Sequence, residues 1–288
     1  IRRSLTLLSV AVILLTGSVF MLTLNGFWIG LTMPLSGLVL ISGSGILRRG
    51  VQSQRHQQDM RRLLGQTSSP AIAQQLWDQR EDLIKDGRFT GRERQVTVLF
   101  SDTCSFTSVS EQLSPSALMQ WLNRGMSIGV DAVTNRSGIV NKFTGDGMLA
   151  VFGAPVSKGP EADAYDAVAA ALAIQNQIST LNEALALEGQ PPLRMRIGIH
   201  SGTVLTGSLG SSKRLEYAVI GDTVNCASRL EGLEKHRHRE MVRVLISGET
   251  MALLEALPPD AISEAWGSIQ VKGRQEPLDV IEVKSTAL

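Results

Sequence analysis

Cysteine and histidine are scarce in this chain: 288 residues hold two of the former and four of the latter. Cys104 and Cys226 belong to no metal-ligand spacing, which excludes a zinc or iron–sulfur centre and leaves a reduced pair as the expectation. Neither sign of charge is in excess, with 28 Lys and Arg against 27 Asp and Glu, and the basic residues form no long cluster after position 62, so the chain gives no sign of a nucleic-acid surface. Two catalytic frames are also missing. No Gly-x-x-x-x-Gly-Lys-Ser/Thr phosphate loop occurs, and Ser201-Gly202 lacks the Gly-x-Ser-x-Gly frame of a nucleophilic serine. His200 ends an apolar strand, where a structural role is expected.

Charge of either sign is absent between Arg3 and Arg48. At about 1.5 Å per residue this interval makes roughly 66 Å of helix, enough for two bilayer crossings and too much for one. Asn25-Gly-Phe-Trp28 breaks it near the middle. The pattern predicts transmembrane helices at about 4–24 and 29–47, a membrane hairpin over 1–49, with Arg2-Arg3 and Arg48-Arg49 on the cytoplasmic side and Trp28 at the far interface. Length and the second apolar run argue against a signal peptide. Because the chain opens on Ile1, an N-terminal sensor segment is expected to precede it.

Residues 50–92 are polar and compatible with a helical linker, with Ser68-Ser69-Pro70 as a helix start and apolar Ile72, Leu76, Trp77 and Leu83 beyond it. The domain proper occupies 93–288. Helices are expected from Ser114-Pro115 through Val133, with Leu118, Leu122, Ile128 and Met126 facing inward, and over Glu161–Leu187 with Tyr165, Val168, Leu172, Ile178, Leu181 and Leu185 in helical period. Two further helices follow, one capped by Asp222 and one over Gly248–Leu257. Strands are expected at Leu193–His200, Leu215–Ile220, Met241–Ile246, before Lys272, and at Leu278–Val283. Strands and helices mix without strict alternation, so the fold class is α+β, a sheet covered by helices.

Two acidic stretches organise this domain. Val96-Thr-Val-Leu-Phe-Ser-Asp102 is an apolar strand that stops at a carboxylate. Ile139-Val-Asn-Lys142-Phe reaches a Thr-Gly-Asp146-Gly turn that reverses into Met148–Phe152. A strand beside a hairpin can hold both carboxylates in one place, where their repulsion calls for protons or cations. Oxygen ligands on rigid elements favour Mg²⁺ or Mn²⁺ over Zn²⁺. The cationic and amide side chains Lys142, Arg196, Asn225, Arg229 and Lys272 complete a set suited to a polyphosphate. Taken singly, each residue also has a structural reading: aspartates cap and turn chains, and Arg229 could pair with Glu231 or Glu234 along a helix.

Together with Met195-Arg196-Ile-Gly-Ile-His-Ser-Gly202, Ile220-Gly-Asp-Thr-Val-Asn225-Cys-Ala-Ser-Arg229-Leu-Glu231 and Val271-Lys272-Gly273, these stretches resemble the successive signatures of the class III adenylate/guanylate cyclase catalytic domain. That fold is a mixed, mostly antiparallel sheet covered by helices. The apolar pair and linker resemble the membrane-bound bacterial adenylate cyclases with a CHASE2-type sensor, which implies a multi-pass protein of the bacterial inner membrane with a cytoplasmic catalytic domain. The resemblance implies a homodimer converting ATP to cyclic AMP and pyrophosphate, with shared sites and two Mg²⁺ or Mn²⁺ ions per site. Asp102, Asp146 and the Thr103 carbonyl would be metal ligands, and Arg196 a phosphate contact. Phe106 and Thr107 would belong to the turn over the phosphates. From the opposite chain Lys142 would read adenine, Asn225 orient the ribose, Arg229 stabilise the α-phosphate, and Lys272 hold the outer phosphates. Two departures stand out. Ala218 occupies the base-reading position that is usually Asp or Thr, and Ser105 stands where the family has Gly. A guanylate cyclase, or a catalytically silent nucleotide-binding signalling module, is the alternative.

Overall fold

The computed structural model describes residues 84–85, 88–89, 91–211, 214–234, 240–271 and 276–286. The two expected membrane helices, most of the linker and Lys272 lie outside the described residues. Among the described residues no helix is long and apolar enough to cross a membrane. At the end of the linker, where helix was expected, β1 (Ile84–Lys85) and β2 (Arg88–Phe89) pair antiparallel.

The domain is built on one eight-stranded sheet in the order β4-β5-β3-β6-β8-β10-β9, with β7 paired to β6. Its strands are β3 (Arg92–Thr103), β4 (Ile139–Phe143), β5 (Met148–Phe152), β6 (Met195–Ser211), β7 (Arg214–Ile220), β8 (Val242–Ser247), β9 (Ala261–Ile269) and β10 (Leu278–Ser285). The helices are α1 (Phe106–Gln112), α2 (Pro115–Thr134), α3 (Pro160–Leu187), α4 (Asp222–Glu231) and α5 (Gly248–Ala252). Every pairing in the sheet is antiparallel except β6 with β8, which are parallel. The α4 crossover between them is what a parallel neighbour requires.

Alternate side chains of β3 and β5 go to opposite faces, and both faces are covered. Leu99, Met148, Ala150 and Phe152 join the α2 and α3 side chains Trp121, Val168 and Ile174. Val98, Leu149 and Val151 join Tyr217 and Val219 of β7 and Ala227 of α4. Strands covered on two sides read as near-continuous apolar runs, as Val96–Phe100, interrupted only at Thr97, and Met148–Phe152 do. The start of α2 is set by the Ser114 hydroxyl, which accepts from Ala117 N, and by Pro115 at the first helical position. Ala164, Ala167, Ala170 and Ala171 let α3 lie close to the sheet.

Several boundaries differ from expectation for physical reasons. β6 does not stop at His200 but runs on to Ser211, because Ser201-Gly202 is a place of close approach rather than a break. A Cβ on Gly202 would lie 2.8 Å from Thr223 Oγ1 of α4, and one on Gly198 would lie 2.2 Å from the Ala227 carbonyl. The N-cap of α4 is Gly221, not Asp222; Asp222 stands inside the first turn. Tyr165 is exposed at 39%, away from the core that its spacing suggested. α5 ends at Ala252 rather than Leu257, and the sequence pattern does not show the seven-residue α1.

Candidate active site

Asp102, next to last in β3, lies directly opposite Arg196 of β6 in the strand register. Arg196 Nη2 donates to Asp102 Oδ2 at 2.6 Å, Nε donates to Glu231 Oε1 at 2.6 Å, and Nη1 reaches Cys104 Sγ at 3.0 Å. The guanidinium is thus divided between a strand end and the last turn of α4. Burial opposes its charge, but Cys104, Glu231 and Asp102 together outweigh burial and raise its pKa above the ordinary arginine value. Burial pushes the Cys104 thiol up, against the pull of Arg196 and Arg194, so at neutral pH it stays a thiol.

The second carboxylate arrives by the β4–β5 hairpin. Thr144 N donates to the Gly147 carbonyl at 2.9 Å, with Gly145 at φ +85° between them. Gly147 packs against β3 so closely that a Cβ there would stand 2.0 Å from the Ser101 carbonyl. Thr103 Oγ1 donates to the Asp146 carbonyl at 2.6 Å, which ties the turn to the end of β3. Asp102 and Asp146 therefore line one pocket of about 490 Å³ with Thr103, Cys104, Phe106 and Thr107. Ser105 and both Arg194 and Arg196 complete its wall.

Ser105 adopts the left-handed conformation, φ +57°, and α1 begins immediately after it. The left-handed region favours glycine, so Ser105 holds this conformation at some strain. Arg194 was missed by sequence reasoning. The signal was available: in the expected strand Leu193–His200 it stands two residues before Arg196, and a period of two places both on one face, although β6 itself starts only at Met195.

The donor set fits a hard divalent cation. Two carboxylates on neighbouring rigid elements and main-chain oxygen suit Mg²⁺ or Mn²⁺. No group of three or more His, Cys, Asp or Glu side chains that could hold a metal ion occurs among the described residues.

The other candidates lie elsewhere. Lys142, Ala218, Asn225 and Arg229 do not line this pocket. Lys142 is exposed on β4 and Asn225 is exposed on α4. Asn141 Nδ2 donates to the Tyr217 carbonyl at 2.6 Å, so β4 at Lys142 runs beside β7 at Ala218. Arg229 Nη1 meets Asp222 Oδ1 at 3.4 Å rather than Glu231 or Glu234. His200 is buried, with Nδ1 2.8 Å from Ser247 Oγ, as a structural histidine. Cys104 and Cys226 are both buried and form no disulfide.

Residues 90–281 match the family described as "Adenylate and Guanylate cyclase catalytic domain". The chain is 36% identical over 204 residues to "Adenylate cyclase 1" of Rhizobium meliloti, covering 69% of this chain and 29% of that protein. It is 31% identical over 196 residues to "Adenylate cyclase" of Anabaena cylindrica, covering 67% and 37%. The chain thus spans about a third of the length of these relatives. Among solved structures it is similar to the adenylyl cyclase CyaB from P. aeruginosa, with TM-score 0.61, 32% identity, and coverage of 68% of this chain and 96% of that one. It is equally similar to the guanylyl cyclase Cya2, with TM-score 0.59, 33% identity, and coverage of 67% and 93%. The family match covers the whole sheet up to Ile281 of β10, together with the Asp102–Asp146 pocket and α4, and the chain belongs to the class III adenylate and guanylate cyclase catalytic-domain family.

Proposed function

We propose that this chain is an adenylate cyclase that converts ATP to 3′,5′-cyclic AMP and pyrophosphate in a homodimer with shared active sites. The observation that carries this reading is the division of the candidate residues. Asp102, Asp146 and Arg196 share one pocket, whereas Lys142, Asn225 and Arg229 stand outside it. A second copy facing the first would supply the missing half. Phe143, Leu205, Leu209 and Ile220 are about half exposed on β4, β6 and β7, an apolar surface of the kind that pairs chains. Leu205 and Ile220 are register partners, so their side chains extend one face.

Asp102, Asp146 and the Thr103 carbonyl would hold two Mg²⁺ or Mn²⁺ ions. When bound, such ions lower the pKa of the ribose 3′-hydroxyl and neutralise the triphosphate. Arg196 draws Asp102 Oδ2 to one side and so fixes the orientation of that carboxylate. Arg196, with Phe106 and Thr107 at the start of α1, faces the phosphates. Lys142 of the partner copy reads the adenine edge beside Ala218, and Asn225 orients the ribose so that its 3′-oxygen points at the α-phosphate. Arg229 bears on the charge that develops there, and Lys272 on the outer phosphates. The names of the Rhizobium and Anabaena relatives support ATP as the substrate. The catalytic domain would be held at the cytoplasmic face of a bacterial inner membrane by helices at about 4–24 and 29–47, below a CHASE2-type sensor.

Incubation of the purified full chain with ATP and Mn²⁺, and separately with GTP, tests the reading. Cyclic AMP and pyrophosphate in equal amounts are expected. Preferential cyclic GMP would make it a guanylate cyclase, a result that Ala218 makes worth seeking. Nucleotide binding with neither product would make it a silent signalling module.

A further inference from the structure

Arg243 is one of the largest fully buried side chains among the described residues, 2% exposed near the start of the otherwise apolar strand β8. Its guanidinium closes the end of α4. Nη2 donates to the carbonyls of Glu231 at 3.1 Å and Leu233 at 2.6 Å, and Nη1 donates to the carbonyl of Glu234 at 3.0 Å. Its other side lies over the Trp266 ring, 5.5 Å from the centroid, and Trp266 Nε1 donates to Glu282 Oε2 at 3.1 Å. Terminal helix carbonyls have no partner within the helix, and a cation there also meets the negative end of the helix dipole.

Arg243 and Arg196 are register partners on the parallel strands β8 and β6. Burial, then the nearby charge of Arg196, lowers the Arg243 pKa. Two buried like charges side by side need something between them, and Glu231 is that residue. Its carboxylate takes Arg196 Nε, and its main-chain carbonyl takes Arg243 Nη2.

We propose that Arg243 is a positioning residue for the cation pocket, acting through Glu231 and Arg196 on Asp102. Glu231 holds one edge of the Arg196 guanidinium, so that only Nη2 reaches Asp102. With the end of α4 released, Glu231 shifts, and Arg196 turns onto Asp102 with both nitrogens and competes with a divalent cation for the carboxylate. The inference rests on the cation-binding reading of the Asp102–Asp146 pocket.

The test is Mn²⁺ binding by the full chain, followed by electron paramagnetic resonance and independent of turnover. Arg243→Lys keeps the charge but cannot reach three carbonyls, and is expected to weaken Mn²⁺ binding roughly tenfold, as loss of an outer support commonly does. Glu231→Gln keeps the carbonyl that Arg243 holds while weakening the grip on Arg196, and is expected to give the same loss. The double variant should lose little more than either single one. With Mn²⁺ saturating, kcat should fall far less than at limiting Mn²⁺, with the KM for ATP within about twofold of wild type. Each variant is compared at a temperature where its near-ultraviolet circular dichroism matches wild type. If Arg243→Lys does not reach that state, Arg243→Gln, which has two side-chain N–H donors and no charge, is the decisive variant in its place. Mn²⁺ affinity within twofold of wild type in the decisive variant would overturn the inference, as would fully additive losses. A wild-type chain that binds no Mn²⁺ would sink the pocket reading instead, and this inference with it.

Discussion

Asp102 and Arg196 face each other across β3 and β6 in strict register, with Nη2 and Oδ2 2.6 Å apart. The pair makes the carboxylate at the end of β3 a fixed object rather than a mobile side chain. Its partner Arg196 is 7% exposed and shared with Glu231, so the geometry is held from the α4 side as well. Asp102→Asn keeps the shape and removes the charge. Cyclic AMP formation should fall about 100-fold or more, with Mn²⁺ binding weakened in parallel. Retention of both would remove Asp102 from the cation site.

The turn that carries Asp146 makes a sharper geometric prediction. Gly145 and Gly147 flank the same aspartate but face different surroundings. A Cβ on Gly145 meets nothing within 4 Å, so Gly145→Ala meets only the strain of φ +85°, about 1 kcal/mol. At Gly147 the new atom would stand 2.0 Å from backbone oxygen, and backbone cannot rotate away. Gly147→Ala should therefore destabilise the domain by about 3 kcal/mol and displace Asp146. Urea denaturation of both variants, with cyclase assays beside it, reads the contrast; equal effects would contradict the packing argument.

Asp102 and Asp146 were legible in the chain because a strand end and a Gly-flanked turn are local signals. The sheet was legible for the same reason, since Met148–Phe152 and Val96–Phe100, apart from Thr97, carry the apolar runs that doubly covered strands show. What the residues hid were partnerships made at a distance. Arg243 interrupts an apolar strand, and its acceptors are main-chain carbonyls, which no side-chain pattern announces. Glu231 read as a helix-surface partner for Arg229, yet it is 6% exposed and serves Arg196. Trp121, fully buried beneath α2 with Nε1 donating to the Pro191 carbonyl, fell outside the chosen helical period although it is the largest core side chain.

Asp163 provides a pH-dependent stability. It is buried in the first turn of α3, where burial pushes its carboxyl above the ordinary 3.8, against the opposing pull of the Ser157 hydroxyl and Lys158 N–H. A folded-state pKa above the unfolded one means that the folded chain keeps its proton longer. Stability from this group is therefore fully present below about 3.8 and is lost as pH rises through the folded pKa. Asp163→Asn removes that titration. Urea midpoints taken from about pH 4 to 7 should fall more steeply in the wild type than in the variant. A wild-type advantage that grows with pH would reverse the sign of this assignment.

A shared site makes the last prediction, and it concerns which chain supplies which residue. Asp146 lies in the pocket with Asp102, while Arg229 sits on α4 outside that lining, beside Asp222. If one chain built a whole site, Asp146→Ala and Arg229→Ala would be dead together in any mixture. If the site is completed by a second copy, each homodimeric variant should be nearly inactive, because one lacks a metal ligand and the other the charge at the α-phosphate. A dimer of one chain of each kind would then place both lesions in one of its two sites and leave the other site intact. Co-expression with two different tags and sequential purification isolates that dimer. Its cyclic AMP formation should recover to about half the wild-type rate per dimer, far above either parent, if the two sites turn over independently. The control is that both variants fold and dimerise as the wild type does. A well-folded mixed dimer as inactive as its parents would mean that the two halves do not meet across the interface.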